Sequence, residues 1–273
     1  MSKITEPTYD YQIGKLTAAY KAAITSILAE LNRMDVTEMS RANSSAALAE
    51  VATILSGLNA ESAAWVAENI PLAARDGVVN ALTSLKIENP GAAPQFNRMN
   101  SEMVKAAVAD TQSDLLAVTQ NVERRVRSAV RQVTGESMRA NTAAGIIGRR
   151  TISRDILDGL RKKLGDSVNT GIIDAAGRRW RPEVYVEMVT RTKMAITHRE
   201  ATVNEAIDRD VLYGRISRHG AKDACANWEG KYVKLVPDAT GPFPYIGDLP
   251  RREIFHPNCK HLVSPMRNPP ADV

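Results

Sequence analysis

Cysteine is nearly absent from this chain. Cys225 and Cys259 are the two in 273 residues, too few for a scaffold built on disulfides. Aromatic residues are scarce at 5%, which is thin for an all-β sandwich and natural for a helical protein rich in Ala, Val and Leu. No uninterrupted apolar run reaches the ~18 residues needed to span a bilayer. The most apolar stretch, Ser44 to Ala74, is broken by Glu50, Asn59, Glu61, Glu68, Asn69 and Pro71 and reads as buried or amphipathic helix. The opening MSKITEPTYDYQIGK has no apolar core of the signal-peptide kind, so synthesis in the cytoplasm is expected. There is no GxGxxG, no Walker A loop, no GxSxG elbow and no HExxH, and no pair of carboxylates stands out as an acid–base couple. No enzymatic activity is therefore expected.

What is present is ordinary for a globular chain: 44% hydrophobic and 25% charged residues, enough for a sizeable core. Net charge is +5, with a pI near 9.2, which permits contact with nucleic acid without demanding it. Its distribution says more. Between Arg124 and Arg150 stand Arg124, Arg125, Arg127, Arg131, Arg139, Arg149 and Arg150, against one acid, Glu136. Such a strip suits DNA phosphate or an acidic partner; the plainer reading is a solvated helix face.

Periodicity divides the chain in two, and the fold expected is α+β. Residues 1–165 read as a predominantly helical region. Ile13, Leu16, Tyr20, Ile24, Ile27 and Leu31 recur at the spacing of one helix face. Asp35 and Glu38 form a capping-box pattern before Leu48, Val51, Leu55 and Leu58. Asn59 could cap a further helix, and Pro71 fits the first turn of another. ENPGAAPQ, Glu88 to Gln95, is a loop. Val104, Val108, Thr111, Leu115, Val118 and Val122 then give a heptad-like seam in a long helix over about 97–133. Gly135, Gly145 and Gly148 suggest a hinge from Thr134 to Arg150, before a short amphipathic helix carrying Ile156, Leu160 and Leu164.

Residues 166–273 read as a small α+β domain, with one long helix and short strands. Two strands flank a turn from Asp174 to Gly177. Pro182 opens a helix to about Asp210, with Val184, Met188, Thr192, Ile196 and Val203 near one face; His198 is expected at its surface. Gly214–Arg218 and Lys231–Leu235 look like strands, and the rest is loop-rich.

The reactive side chains gather late in the chain. His256-Pro-Asn-Cys259-Lys-His261 faces Cys225 across about thirty residues, with His219 nearby. Three readings apply. Cys225, His256, Cys259 and His261 could hold zinc, with His219 as a substitute ligand, stapling a region with little core. Cys225 and Cys259 could form a disulfide in a particle released from the cell. On the preferred reading no cofactor binds: the cysteines pack as small apolar residues, the histidines bond to loop backbone and Trp228 packs beneath. His256-x-Asn258-x-x-His261 is faintly similar to metal-dependent nuclease motifs but lacks their ββα frame and further ligands. A Cys–His hydrolase would need a nucleophile context that neither cysteine has.

Three blocks in order resemble the phage minor capsid proteins of the Mu F-like head morphogenesis group, closest to the subgroup called minor capsid protein 2. They are DAAGRRWRPEVYVEMVTRT from Asp174, SRHGAKDACANWEGKYV from Ser217 and FHPNCKHLVSP from Phe255. Matching positions are Gly177, Arg178, Trp180, Tyr185, Glu187, Arg191 and Thr192; then His219, Cys225, Trp228, Gly230 and Lys231; then His256 through Cys259 and His261. The resemblance implies a virion structural protein near the portal of the phage head, tied to head assembly and to DNA packaging or delivery. Portal protein, major capsid protein and packaged double-stranded DNA are its implied partners. It implies no catalytic role for any matched residue. Variation within the family at the second-block cysteine and the final histidine argues against a four-ligand metal site common to all members. A neck or tail adaptor, an internal ejected protein, and a nuclease or toxin-like effector on a Mu F-like module are the alternatives.

Overall fold

The computed structural model describes residues 7–37, 39–87, 94–146, 152–169, 172–174 and 177–270. Five α-helices occur among them: α1 Asp10–Arg33, α2 Arg41–Ser84, α3 Arg98–Ile146, α4 Arg154–Asn169 and α5 Pro182–Ile207. Strands β1 Ile172–Ile173 and β2 Arg179–Trp180 precede α5; β3 Tyr213–Ile216, β4 Tyr232–Lys234 and β5 Val263–Met266 follow it. The α+β class expected from the sequence is what the chain adopts. Two compact units divide it, one of Gly14–Trp65 with Gln112–Glu187, the other of Met1–Ile13, Val66–Thr111 and Met188–Val273.

The first unit is built on long helix faces. Leu16, Tyr20, Ile24, Ile27 and Leu31 of α1 are buried, as the spacing predicts. So are Val51, Leu55 and Leu58 of α2 and Leu115, Val118, Val122, Val126, Val130 and Val133 of α3. Polar ties fix their register. The Tyr20 hydroxyl donates to the Leu115 carbonyl and accepts from Ser62 Oγ. Ser44 and Thr134 hydroxyls meet at 2.7 Å. In α4, Leu160, Leu164 and Val168 are buried, while Ile156 is exposed. β1 and β2 pair antiparallel, Ile172 opposite Trp180. Asp174 closes that hairpin, accepting from the Arg178 N–H and from Trp180 Nε1. These bonds, Trp180 first, hold its carboxyl down at about 2. Gly177 supplies the left-handed φ of 78° that the turn needs.

Several boundaries differ from expectation. Asn59 caps nothing; α2 passes through it, and its Oδ1 accepts from Thr119. Pro71 also lies inside α2, although an interior proline removes a hydrogen bond and crowds the preceding turn at a cost of ~3 kcal/mol. Val66, Ile70, Ala73 and Ala74 around it are all buried, and that packing carries the helix across. The expected hinge is helical as far as Ile146, because Val130, Val133 and Ser137 are buried beside Gly135. Ser137 donates to the Val36 carbonyl there. Glu38 of the capping box, Gly148, and most of the Glu88–Gln95 loop lie outside the described residues.

The second unit carries the sheet. β3 is central in the order β4-β3-β5, antiparallel on both sides. Strand β5 was not expected; it holds Pro265, which an edge strand tolerates because that N–H need not enter a ladder. Val211, Ile216, Val233, Leu235, Ile254 and Val263 form the core beneath, joined by Cys225 and Ala206. Helices approach closely here. A Cβ on Gly77 would stand 2.2 Å from the His198 carbonyl oxygen, so α2 and α5 can touch only through glycine. Thr202 Oγ1 donates to the Gly77 carbonyl, and Asn80 Nδ2 donates to the Val263 carbonyl. The inward side of α5 is not the one read from apolar spacing. Val184 is exposed, whereas Thr190, Thr197, His198 and Thr202 are buried.

Candidate functional site

Of the residues expected around Cys225, His256 and Cys259 group closely with it, while His261 groups with His219 and Glu229, all within the second unit. Asp223 begins the arrangement: its carboxylate accepts from the Cys225 N–H at 3.0 Å and starts a 3-10 turn, Ala224–Trp228. That turn buries the Cys225 thiol. Opposite, a tight turn from His256 to Cys259 is closed by the Cys259 N–H donating to the His256 carbonyl. Asn258, with φ 65°, takes the left-handed position that asparagine tolerates; Phe255, with φ 58°, is a bulky residue held there by packing.

The two loops bring four side chains together. The thiol sulfurs are 3.7 Å apart, and both cysteines are free. A disulfide needs ~2.05 Å, so this is a thiol pair. Cys225 Sγ lies 3.0 Å from His256 Nε2, and Cys259 Sγ lies 3.4 Å from His261 Nδ1. Burial, then the neighbouring Cys259, pushes the Cys225 thiol up to about 12. A thiol in that state is a poor nucleophile.

Each imidazole is oriented from behind. His256 Nδ1 is 2.9 Å from the Pro257 carbonyl, an oxygen that can only accept. Nδ1 can bond that oxygen only by donating, while Nε2 faces the Cys225 sulfur and Asp223 Oδ2, the latter at 3.4 Å. His261 Nε2 lies 3.3 Å from Glu229 Oε1. That oxygen also accepts from the N–H groups of His219, Gly220 and Ala221. Those bonds, Ala221 first, hold the Glu229 carboxyl at about 2. His219 stacks on His261 with ring centroids 4.1 Å apart and belongs to the Glu229 side of the cluster. Trp228 does not lie under the thiols alone: it bonds Glu253 through Nε1 and accepts Lys231 over its ring at 4.6 Å.

His198, expected at the surface, is buried, at 2% exposure, and its neighbour Arg199 is buried too. Burial pulls the imidazole down to about 4, and its Nδ1 has no hydrogen-bond partner. The Arg199 guanidinium stacks 4.2 Å over Phe255, bracing the His256 loop. Glu229, Asp223 and Arg199 had no sequence signal. Their roles arise from turns that join positions some thirty residues apart or from a helix buried on more than one side.

The arginine strip lies in the first unit. Arg124, Arg127, Arg131 and Arg139 are exposed on α3 and Arg125 is half-buried. Positions 124, 127 and 131 are one face of the helix by their spacing. Arg127 pairs with Glu123, and Glu136 is drawn to Lys163 of α4 at 2.7 Å. Arg149 and Arg150 lie outside the described residues.

A helix-dominated α+β chain, with its reactive side chains locked in loop packing and an open cationic face, has the character of a structural, partner-binding protein. Residues 37–267 match the family described as Phage minor capsid protein 2, and the chain belongs to that family of structural phage proteins. No curated protein and no solved structure matches it. Among the described residues, no helix is long and apolar enough to cross a membrane.

Proposed function

We propose that this minor capsid protein sits at the portal region of the phage head and acts in head morphogenesis and DNA packaging or delivery, without catalysing a reaction. The observation that carries the reading is the exposed arginine face of α3. Arg124, Arg127 and Arg131 share one exposed face, with Arg127 paired to Glu123, and such a face favours an acidic protein surface or packaged DNA. The cluster at Cys225 agrees with a non-enzymatic role. Its one buried thiol is protonated at neutral pH, and Glu229, on the His261 side of the cluster, already accepts from three backbone N–H groups.

Quantitative mass spectrometry of purified particles, before and after DNA release, tests this. A small fixed copy number retained in both samples is expected. Loss with the DNA would make it an ejected internal protein, and absence from both would remove the virion assignment. Incubating the purified chain with duplex DNA and magnesium or zinc should give no cleavage.

A further inference from the structure

We infer that the second unit binds one zinc ion through Cys225 Sγ, Cys259 Sγ and His256 Nε2, with the fourth position facing His261. The three donor atoms lie within 4.8 Å of one another. Tetrahedral zinc, with Zn–S near 2.3 Å and Zn–N near 2.0–2.1 Å, sets its sulfurs about 3.8 Å apart and sulfur from nitrogen about 3.6 Å. The sulfurs here are 3.7 Å apart, and Cys225 Sγ lies 3.0 Å from His256 Nε2. The thiol pair is thus already spaced as an edge of that tetrahedron.

The surroundings match what metal-bound histidines need. Zinc-ligating imidazoles are held by a hydrogen bond from the other ring nitrogen to a carbonyl or carboxylate. His256 has the Pro257 carbonyl, and His261 has Glu229. Soft thiolates with imidazole select zinc over magnesium or calcium. The sheet has strands of only three or four residues, and the connections between them are long. A metal joining the 225 turn to the 256–259 turn would stabilise that lobe directly. Binding is balanced by proton release: Cys225 and Cys259 each lose one proton to solvent as the zinc–sulfur bonds form. The inference does not depend on the portal reading, since it concerns the lobe itself.

The full chain, expressed with zinc and purified without chelator or histidine tag, would be assayed for metal by mass spectrometry. About one zinc ion per chain is expected, along with a thiolate-to-metal charge-transfer band when cobalt replaces zinc. Chelation should expose both thiols to alkylation and lower Tm. Cys259→Ser and His256→Ala should lose the metal, whereas His219→Ala should keep it. Since a ligand variant could misfold, the unaltered chain decides. A folded protein that takes up neither zinc nor cobalt overturns the site. So does a Cys225–Cys259 disulfide formed in the presence of excess zinc and reductant.

Discussion

At the scale of single residues, the buried histidine of α5 makes a prediction with a definite sign. His198 titrates near 6.5 when exposed but is held at about 4 in the fold, by burial first and then by Arg199. The folded state therefore refuses a proton that the unfolded chain accepts below ~6.5. Its contribution is complete above that pH and is lost as pH falls toward 4, at up to about 1.4 kcal/mol per unit. Urea unfolding at pH 7.5, 6 and 5 should show a shallower loss for His198→Gln than for the unaltered chain. Equal losses would mean that other groups carry the acid sensitivity. Asn258 gives a second case. With φ at 65°, Asn258→Gly should be close to neutral, while Asn258→Val should cost roughly 1–2 kcal/mol in the same assay.

At the scale of elements, α2 joins a position that resists change to one that invites it. Gly77→Ala would drive a methyl into the His198 carbonyl, against backbone that cannot rotate away. A loss of roughly 1–3 kcal/mol is expected from such overpacking, although alanine is the better helix former. Pro71→Ala should act oppositely. It restores an N–H to the ladder and removes the clash, so Tm should rise, with a gain in stability smaller than the ~3 kcal/mol of an interior proline because the unfolded chain also gains freedom. Thermal unfolding of both variants checks the pair. An unchanged Tm for Pro71→Ala would mean that α2 is already broken there. The same helix shows how much was legible in the sequence. Its apolar period was plain, and so was that of α1, because each presents one face inward. Its length was not, since Asn59 and Pro71 are local stop signals outweighed by burial of Val66 and Ile70. For α5 even the face was misread: threonines and His198 turn inward, where packing against Gly77 and Asn100 demands small or hydrogen-bonding groups. The Cys225, His256, Cys259, His261 grouping was legible from residue type. Glu229 was not, because its role depends on three backbone N–H groups that only the fold brings together.

At the scale of the whole molecule, a modest excess of five positive charges matters through its placement. Spread evenly, it would do little at a Debye length of ~8 Å. Gathered on one side of α3, it makes a surface whose binding should be governed by salt. If that surface meets packaged DNA, each phosphate contact adds about 0.9 to the slope of log K against log salt. Replacing Arg124, Arg127 and Arg131 together with Glu should then lower the slope by about two to three in a duplex-binding titration. The same variant should leave the unfolding free energy within about 1 kcal/mol of the original, because the three groups are solvent-exposed and one surface ion pair is worth little. Particles from a phage carrying it should incorporate less of the protein or retain less DNA. An acidic protein partner would give the incorporation defect with no measurable duplex binding by either form. Normal incorporation and normal DNA content would show that the arginine face is solvated surface, and would take from the portal reading the observation that carries it.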